Sequence, residues 1–185
     1  MGKAKRVSPF KVLRRELGRQ LAANGFGEVP QDASSRNHIL LYFSQESHVR
    51  RFGFWFQRNV KSLHVDALGS SFTLEFFRSL EDPFKAGGGR ERFYFLLTPA
   101  EREEMRAIQN HVINRLPPLE EFLAPWEMES FGAIAAKQRQ VIEKPFNPSQ
   151  EVWMRYRDEA DILAWTAFIG RLLPTLGERF QRLSV

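Results

Sequence analysis

Residues 51–80 alternate between large apolar residues and other residue types, and this alternation constrains the fold more than any other feature of the chain. Large apolar residues occupy every second position at both ends of the stretch: Phe52, Phe54, Phe56, Phe72, Leu74 and Phe76. Side chains that repeat every two residues lie on one face of a β-strand. Polar breaks at residues 58–61 and 67–70, the second containing Gly69, divide the stretch into three runs. The stretch therefore predicts a three-stranded β-meander.

Three helices flank this meander in the sequence. Ser8-Pro9 provides a cap and a proline suited to a first helical position, and Gly25 suits the residue after the helix end. The motif Thr98-Pro99-Ala100-Glu101 predicts a capping box that opens a helix running to Leu116. Asp158 is expected to cap a last helix, in which Pro174 predicts a kink or break at residues 170–173.

Further strands are predicted at residues 38–44, 91–97 and 150–157, whereas the pattern of residues 119–149 leaves helix and irregular structure both open. Together these elements predict an α+β fold with a single antiparallel sheet of five or six strands and helices packed on one face. Residues 8–185 are expected to form one domain after a basic, flexible tail of residues 1–7. Their number is within the range of a single core.

Composition restricts the cellular location and the kinds of site that we expect for this chain. It has no cysteine, which excludes disulfides and thiolate metal sites. It also has no run of about 18 apolar residues and no secretory signal pattern, so no membrane association is expected and a cytoplasmic location is predicted.

The net charge of +5 arises at the N-terminus, because residues 1–20 hold seven Lys and Arg residues and one acidic residue. Localised basic charge can bind phosphates, although most such helix faces are only solvated. An alternative function is therefore a nucleic-acid-binding accessory protein. Its candidate contacts are Lys3, Lys5, Arg6, Lys11, Arg15 and Arg19.

Arginines interleaved with aromatic residues on the predicted strands indicate a second kind of contact surface. Guanidinium groups and aromatic rings on an exposed sheet face bind anionic or macromolecular ligands. The glycine-rich loop at residues 81–90 lacks the spacing of a phosphate-binding motif, but it adjoins this surface. The candidate binding residues are Trp55, Arg58, Arg78, Arg90 and Arg92.

A third hypothesis places a metal-dependent enzyme on one hairpin of the meander. If Asp66 pairs with Ser71, then His64, Asp66, Thr73 and Glu75 share a face of the sheet, and His64, Asp66 and Glu75 are possible ligands. Paired polar residues on the wet face of a sheet explain the same pattern. No nucleophile elbow, metal motif or cofactor signature accompanies it, so we predict a protein without cofactor and do not expect an enzyme.

The order of helix, Gly25-Phe26, strand, FWFQRN (54–59), FTLEFF (72–77) and a late helix interrupted at Leu173-Pro174 resembles a family of uncharacterised bacterial α+β domains. The resemblance implies a bacterial α+β fold and supplies no catalytic residues. The favoured prediction is a non-enzymatic interaction module that binds a protein or anionic partner over the exposed sheet face and the glycine-rich loop. An exposed sheet edge would also permit oligomerisation.

Overall fold

The computed structural model describes residues 8–28, 39–46, 50–58, 70–79, 90–121, 123–139 and 153–182. The helices in these ranges are α1 (Pro9–Ala23), α2 (Pro99–Ile113), α3 (Pro125–Arg139) and α4 (Glu159–Arg182). The strands are β1 (Phe26–Glu28), β2 (Ile39–Glu46), β3 (Arg50–Arg58), β4 (Ser70–Ser79), β5 (Arg90–Arg92) and β6 (Met154–Tyr156). Short 3-10 turns occupy Phe93–Leu96 and Leu119–Glu121.

The described strands form one antiparallel sheet, so the molecule has the predicted α+β architecture. β1 to β5 follow one another in sequence order across the sheet. β4 pairs with β3 along one edge, while its other edge pairs with β6 at residues 70–72 and with β5 at residues 75–77. Two strands that are distant in sequence therefore share one edge of β4.

The core lies between one face of the sheet and the helices α1 and α4. Phe72, Leu74 and Phe76, which are the alternate residues of β4, are buried in the same cluster as the apolar stripe of α1. The α1 stripe consists of Phe10, Leu13, Leu17 and Leu21. α4 closes this cluster, with Trp165 and Ile169 completely shielded from solvent.

β3 and β4 are direct neighbours, and this corrects the predicted order of the meander. Thr73 pairs with Gln57, and Glu75 pairs with Trp55 on one side and with Arg92 on the other. Both sides of Glu75 are therefore occupied by the described strands β3 and β5, whereas the expected register of Asp66 with Ser71 involves a run that stays a prediction. Residues 59–69 themselves lie outside the described ranges.

The predicted strand at residues 91–97 is also wrong over most of its length. β5 ends at Arg92, and the chain continues as a 3-10 turn. Residues i and i+3 eclipse each other in a 3-10 turn, so Phe93 and Leu96 point the same way. Both are buried in the core, which a strand of this sequence would not achieve.

The predicted starts of α1 and α2 are confirmed, and the predicted side-chain cap forms at α2 but not at α1. The Thr98 hydroxyl accepts from the Glu101 N–H, and the Glu101 carboxylate accepts from the Thr98 N–H at 2.7 Å, which completes the capping box of α2. Ser8 precedes α1 without a side-chain cap bond, and Gly25 follows with φ of +82°. α2 ends at Ile113, shortly before the predicted Leu116.

The predicted break near Pro174 is absent, because α4 continues to Arg182. Leu172, Leu173 and Leu176 are buried on both sides of the proline, and this packing retains the helix where propensity alone would end it. Asp158 caps α4 as predicted, through a bond from the Asp161 N–H at 3.1 Å.

Some predictions fall on residues outside the described ranges. These are the tail at 1–7 and most of the glycine-rich loop at 81–90. No helix in the described part of the chain combines the length and apolarity that crossing a bilayer requires. The single-domain organisation stays a prediction.

Candidate functional site

The five predicted sheet contacts divide between the two sides of the sheet. Their backbone positions all lie on β3, β4 and β5. Trp55 and Arg92 pair with Glu75 from opposite sides, and Arg90 pairs with Phe77. Positions that differ by an even number share a side of a strand, so these three candidates occupy the Glu75 side of the sheet.

The other two candidates occupy positions on the core side. Arg58 pairs with Phe72, whose side chain is in the core, and Arg78 pairs with Phe52. The register therefore does not bring Arg58 and Arg78 together with Trp55, Arg90 and Arg92 on one surface.

The Glu75 side of the sheet is covered where the structure describes it. Ser71, Thr73 and Glu75 are all buried, and the exposed fraction of Glu75 is 1%. Arg155, opposite Ser71 on β6, is buried as well, while Arg92 is half-buried. This polar row consists of shielded side chains flanked by arginines, and such an arrangement supports the sheet more readily than it contacts a large partner.

The basic face of α1 is partly neutralised by neighbouring carboxylates. Arg14 contacts Glu28 at 2.7 Å, and the guanidinium of Arg15 contacts both Glu16 and Glu159 at 2.5 Å. Hydrogen bonds from Arg15 to these two carboxylates raise its pKa further above the ordinary value. A guanidinium held by two acids is poorly available to phosphate.

The remaining nucleic-acid candidates separate into two groups. Lys11 and Arg19 are exposed on α1. The positions of Lys3, Lys5 and Arg6 are outside the described ranges. Lys11 and Arg19 are therefore the two described candidates that remain for a basic contact surface.

The metal hypothesis involves one described residue, Glu75. His64 and Asp66 lie outside the described ranges. Among the residues that the structure describes, no group of three or more His, Asp or Glu side chains is arranged to hold a metal ion.

A different feature, the helix α3, presents apolar residues to solvent. Its contact with the rest of the described chain is small: Met128 packs against Leu119 and Leu123 in a cluster separate from the main core. At the start of the helix, the Glu127 carboxylate accepts from the Ala124 N–H at 2.8 Å. Gly132 is buried beside Met128 one turn later.

The outward side of α3 carries large exposed hydrophobic side chains. Trp126 is 64% exposed, Ile134 is 53% exposed and Phe131 is 48% exposed. Ser130 and Ala133 lie between them and are exposed too. We call Trp126, Ser130, Phe131, Ala133 and Ile134 the outward face of α3.

This concentration of apolar exposure sets α3 apart within the described chain. Among the described residues, the other large hydrophobic side chain that is exposed is Leu163 on α4, at 37%. Scattered single residues of this kind are normal on protein surfaces, whereas several on one element mark an interaction surface. The outward face of α3 is therefore the best candidate site in the described structure.

No family model, curated protein or solved structure matches this chain. The resemblance to a bacterial α+β family stays a prediction, and the functional assignment rests on the geometry.

Sequence reasoning did not find the outward face, because residues 119–149 were left open between helix and irregular structure. The usual signal is an apolar stripe at helical spacing that faces the core. Among the apolar residues of α3 whose burial is described, Met128 and Gly132 are shielded while Trp126, Phe131 and Ile134 are exposed, so they follow no single buried stripe. The run after Pro125, which is rich in alanine, was the available signal for a helix.

Proposed function

We propose that the chain is a non-enzymatic interaction module whose contact surface for a protein partner is the outward face of α3. The proposal keeps the predicted class of function and moves the contact away from the sheet. The observation that carries it is the exposure of Trp126, Phe131 and Ile134 on one helix of 15 residues.

Covering these three side chains makes free energy available for association. Each would remove on the order of 100 Å² from water, so the three together contribute roughly 7 kcal/mol at about 25 cal/mol per Å². Association itself costs about 4–15 kcal/mol. We therefore expect a reversible contact, which becomes tight only if further surface joins it.

The stability of α3 also favours a partner. Isolated helices of this length are marginal in water, and most helices in proteins are held by packing of one face. α2 has the same length as α3, but it has a capping box and buries Met105, Gln109 and Val112. Within the described residues α3 has the small contact of Met128, so a partner would supply packing that this part of the chain does not.

The competing surfaces are less suited to a macromolecular partner. The row from Ser71 to Glu75 is buried, and a large partner cannot reach it without displacing what covers it. Arg15 on α1 is held by Glu16 and Glu159. A nucleic-acid role and a metal-dependent role thus have less support than the outward face.

Site-specific photo-crosslinking tests the proposal. A photoreactive phenylalanine analogue replaces Ile134, and the matched control places the same analogue at Leu163, which is exposed on α4. In the native cells, we expect a crosslink from position 134 to one identifiable protein and none to that protein from position 163. Absence of any crosslink at 134, or equal crosslinking at both positions, would refute the proposed contact surface.

A further inference from the structure

Charge along α3 is distributed unevenly, and this bears on which partner covers its outward face. Glu127 and Glu129 lie in the first half of the helix, while Lys137 and Arg139 are in its last turn. A helix with acidic and basic ends is complementary to an antiparallel copy of itself. The helix dipoles of such a pair are also opposed.

The positions of these residues define one such pairing. Glu129 and Lys137 are spaced equally about Ala133, and Trp126, Ser130, Ala133 and Lys137 recur along one line of the helix. If two antiparallel α3 helices cross at Ala133, Glu129 lies level with Lys137 of the partner subunit. A two-fold axis makes this contact occur twice.

The residue at the crossing point suits a close approach. Ala133 and Ser130 are small and exposed, so two helix backbones can come together there. Trp126 and Ile134 then flank the crossing and cover the partner helix. Such packing would bury Trp126 and Ile134, two of the three large side chains whose exposure identifies the outward face.

We propose that the partner bound by the outward face of α3 is a second copy of this chain, in an antiparallel, two-fold symmetric pair of α3 helices. This inference rests on the proposed function, because it names the occupant of the same surface. A 15-residue helix is about 22 Å long and presents less area than a standard interface. The expected dimer is therefore weak, with Kd on the order of 10 to 100 µM.

The dimer predicted here differs from the oligomer that the sequence suggested at a sheet edge. In the described chain, the strands that end the sheet are β1 on one side and β5 and β6 on the other. Each has three residues. Short edge strands offer few hydrogen bonds to another chain.

The pairing is tested by exchanging charges on α3 and measuring the Kd of the dimer by sedimentation velocity of the full chain. Glu129→Lys and Lys137→Glu should each weaken the dimer about tenfold, because like charges then meet twice per dimer. The double variant should recover the wild-type Kd to within about threefold, since opposite charges meet again. Glu178→Lys, an exposed charge reversal on α4, is the matched control and should leave Kd unchanged.

A second pair of variants tests the apolar part of the contact by replacing an exposed apolar residue with glutamate. Ile134→Glu should abolish the dimer, whereas Leu163→Glu should not, and circular dichroism and urea unfolding establish that each variant is folded. A wild-type chain that stays monomeric up to about 500 µM, or a double variant as weak as its single parents, overturns the inference. A monomeric chain that still crosslinks from position 134 to a different protein overturns self-association alone and leaves the proposed function standing.

Discussion

The indole Nε1 of Trp165 donates a hydrogen bond to the backbone carbonyl of Arg155 at 2.7 Å. This bond connects the first half of α4 to β6, and the ring of Trp165 is completely buried against Phe168. We expect Trp165→Phe to lower the free energy of unfolding by about 2 kcal/mol, because the bond is lost and a void remains.

The control for this change is Trp126→Phe on α3, where the side chain is 64% exposed. Urea unfolding should place it within about 0.5 kcal/mol of the wild type. Equal losses for the two variants would contradict the position of Trp165 in the core.

A bidentate ion pair between Arg179 on α4 and Glu101 on α2 predicts a stability that depends on pH. The guanidinium approaches the two carboxylate oxygens at 2.6 and 3.0 Å and, as the main cause, lowers the pKa of Glu101 to about 2. Because the pKa is lower in the folded chain than its ordinary value of 4.5, this stability is present above pH 4.5 and is lost as the pH falls towards 2.

The change that isolates this effect is Glu101→Gln, which keeps a side chain able to accept from the Thr98 N–H. The difference in unfolding free energy between wild type and variant should be roughly 2 kcal/mol at pH 7 and should shrink below pH 4.5. Glu103→Gln, at an exposed carboxylate on the same helix, is the control. A difference that does not change between pH 7 and pH 3 would disprove the linkage.

The capping box of α2 predicts a loss of stability from removing one hydroxyl. Thr98→Ala leaves the Glu101 N–H without its side-chain acceptor, and we expect a loss of about 1 kcal/mol in thermal or urea unfolding. Thr175→Ala is the comparison, since the Thr175 hydroxyl donates to the Leu172 carbonyl within α4 and caps nothing. If both variants lose the same stability, the loss does not come from the cap.

The sequence predicted the elements whose signals are local. Thr98 and Glu101 specify a helix start within four residues, and the alternation of Phe72, Leu74 and Phe76 marks a buried strand face whatever its neighbours are. Both predictions agree with the structure. The cover over Glu75 could not be foreseen, because alternation tells which side of a strand a residue lies on and not what packs above it.

The errors arise where distant residues decide the outcome. Pairing of β3 with β4 depends on which strands compete for the same edge, and β6 reaches β4 from a position more distant in sequence. Pro174 stays inside a helix because the core holds Leu173 and Leu176 around it. The outward face of α3 was missed for the opposite reason. Trp126 and Ile134 pack little against the described chain, so they do not belong to an apolar stripe that faces the core.

Amide hydrogen exchange of α3, with α2 as an internal reference of equal length, tests the central claim most directly. In dilute solution, α3 amides should exchange at least about a hundredfold faster than α2 amides, because the described residues pack little against α3. The difference in exchange rate between α3 and α2 should decrease as the chain concentration rises and the outward face is covered. If α3 is as protected as α2 in the dilute chain, and concentration changes nothing, the helix needs no partner and the account is wrong.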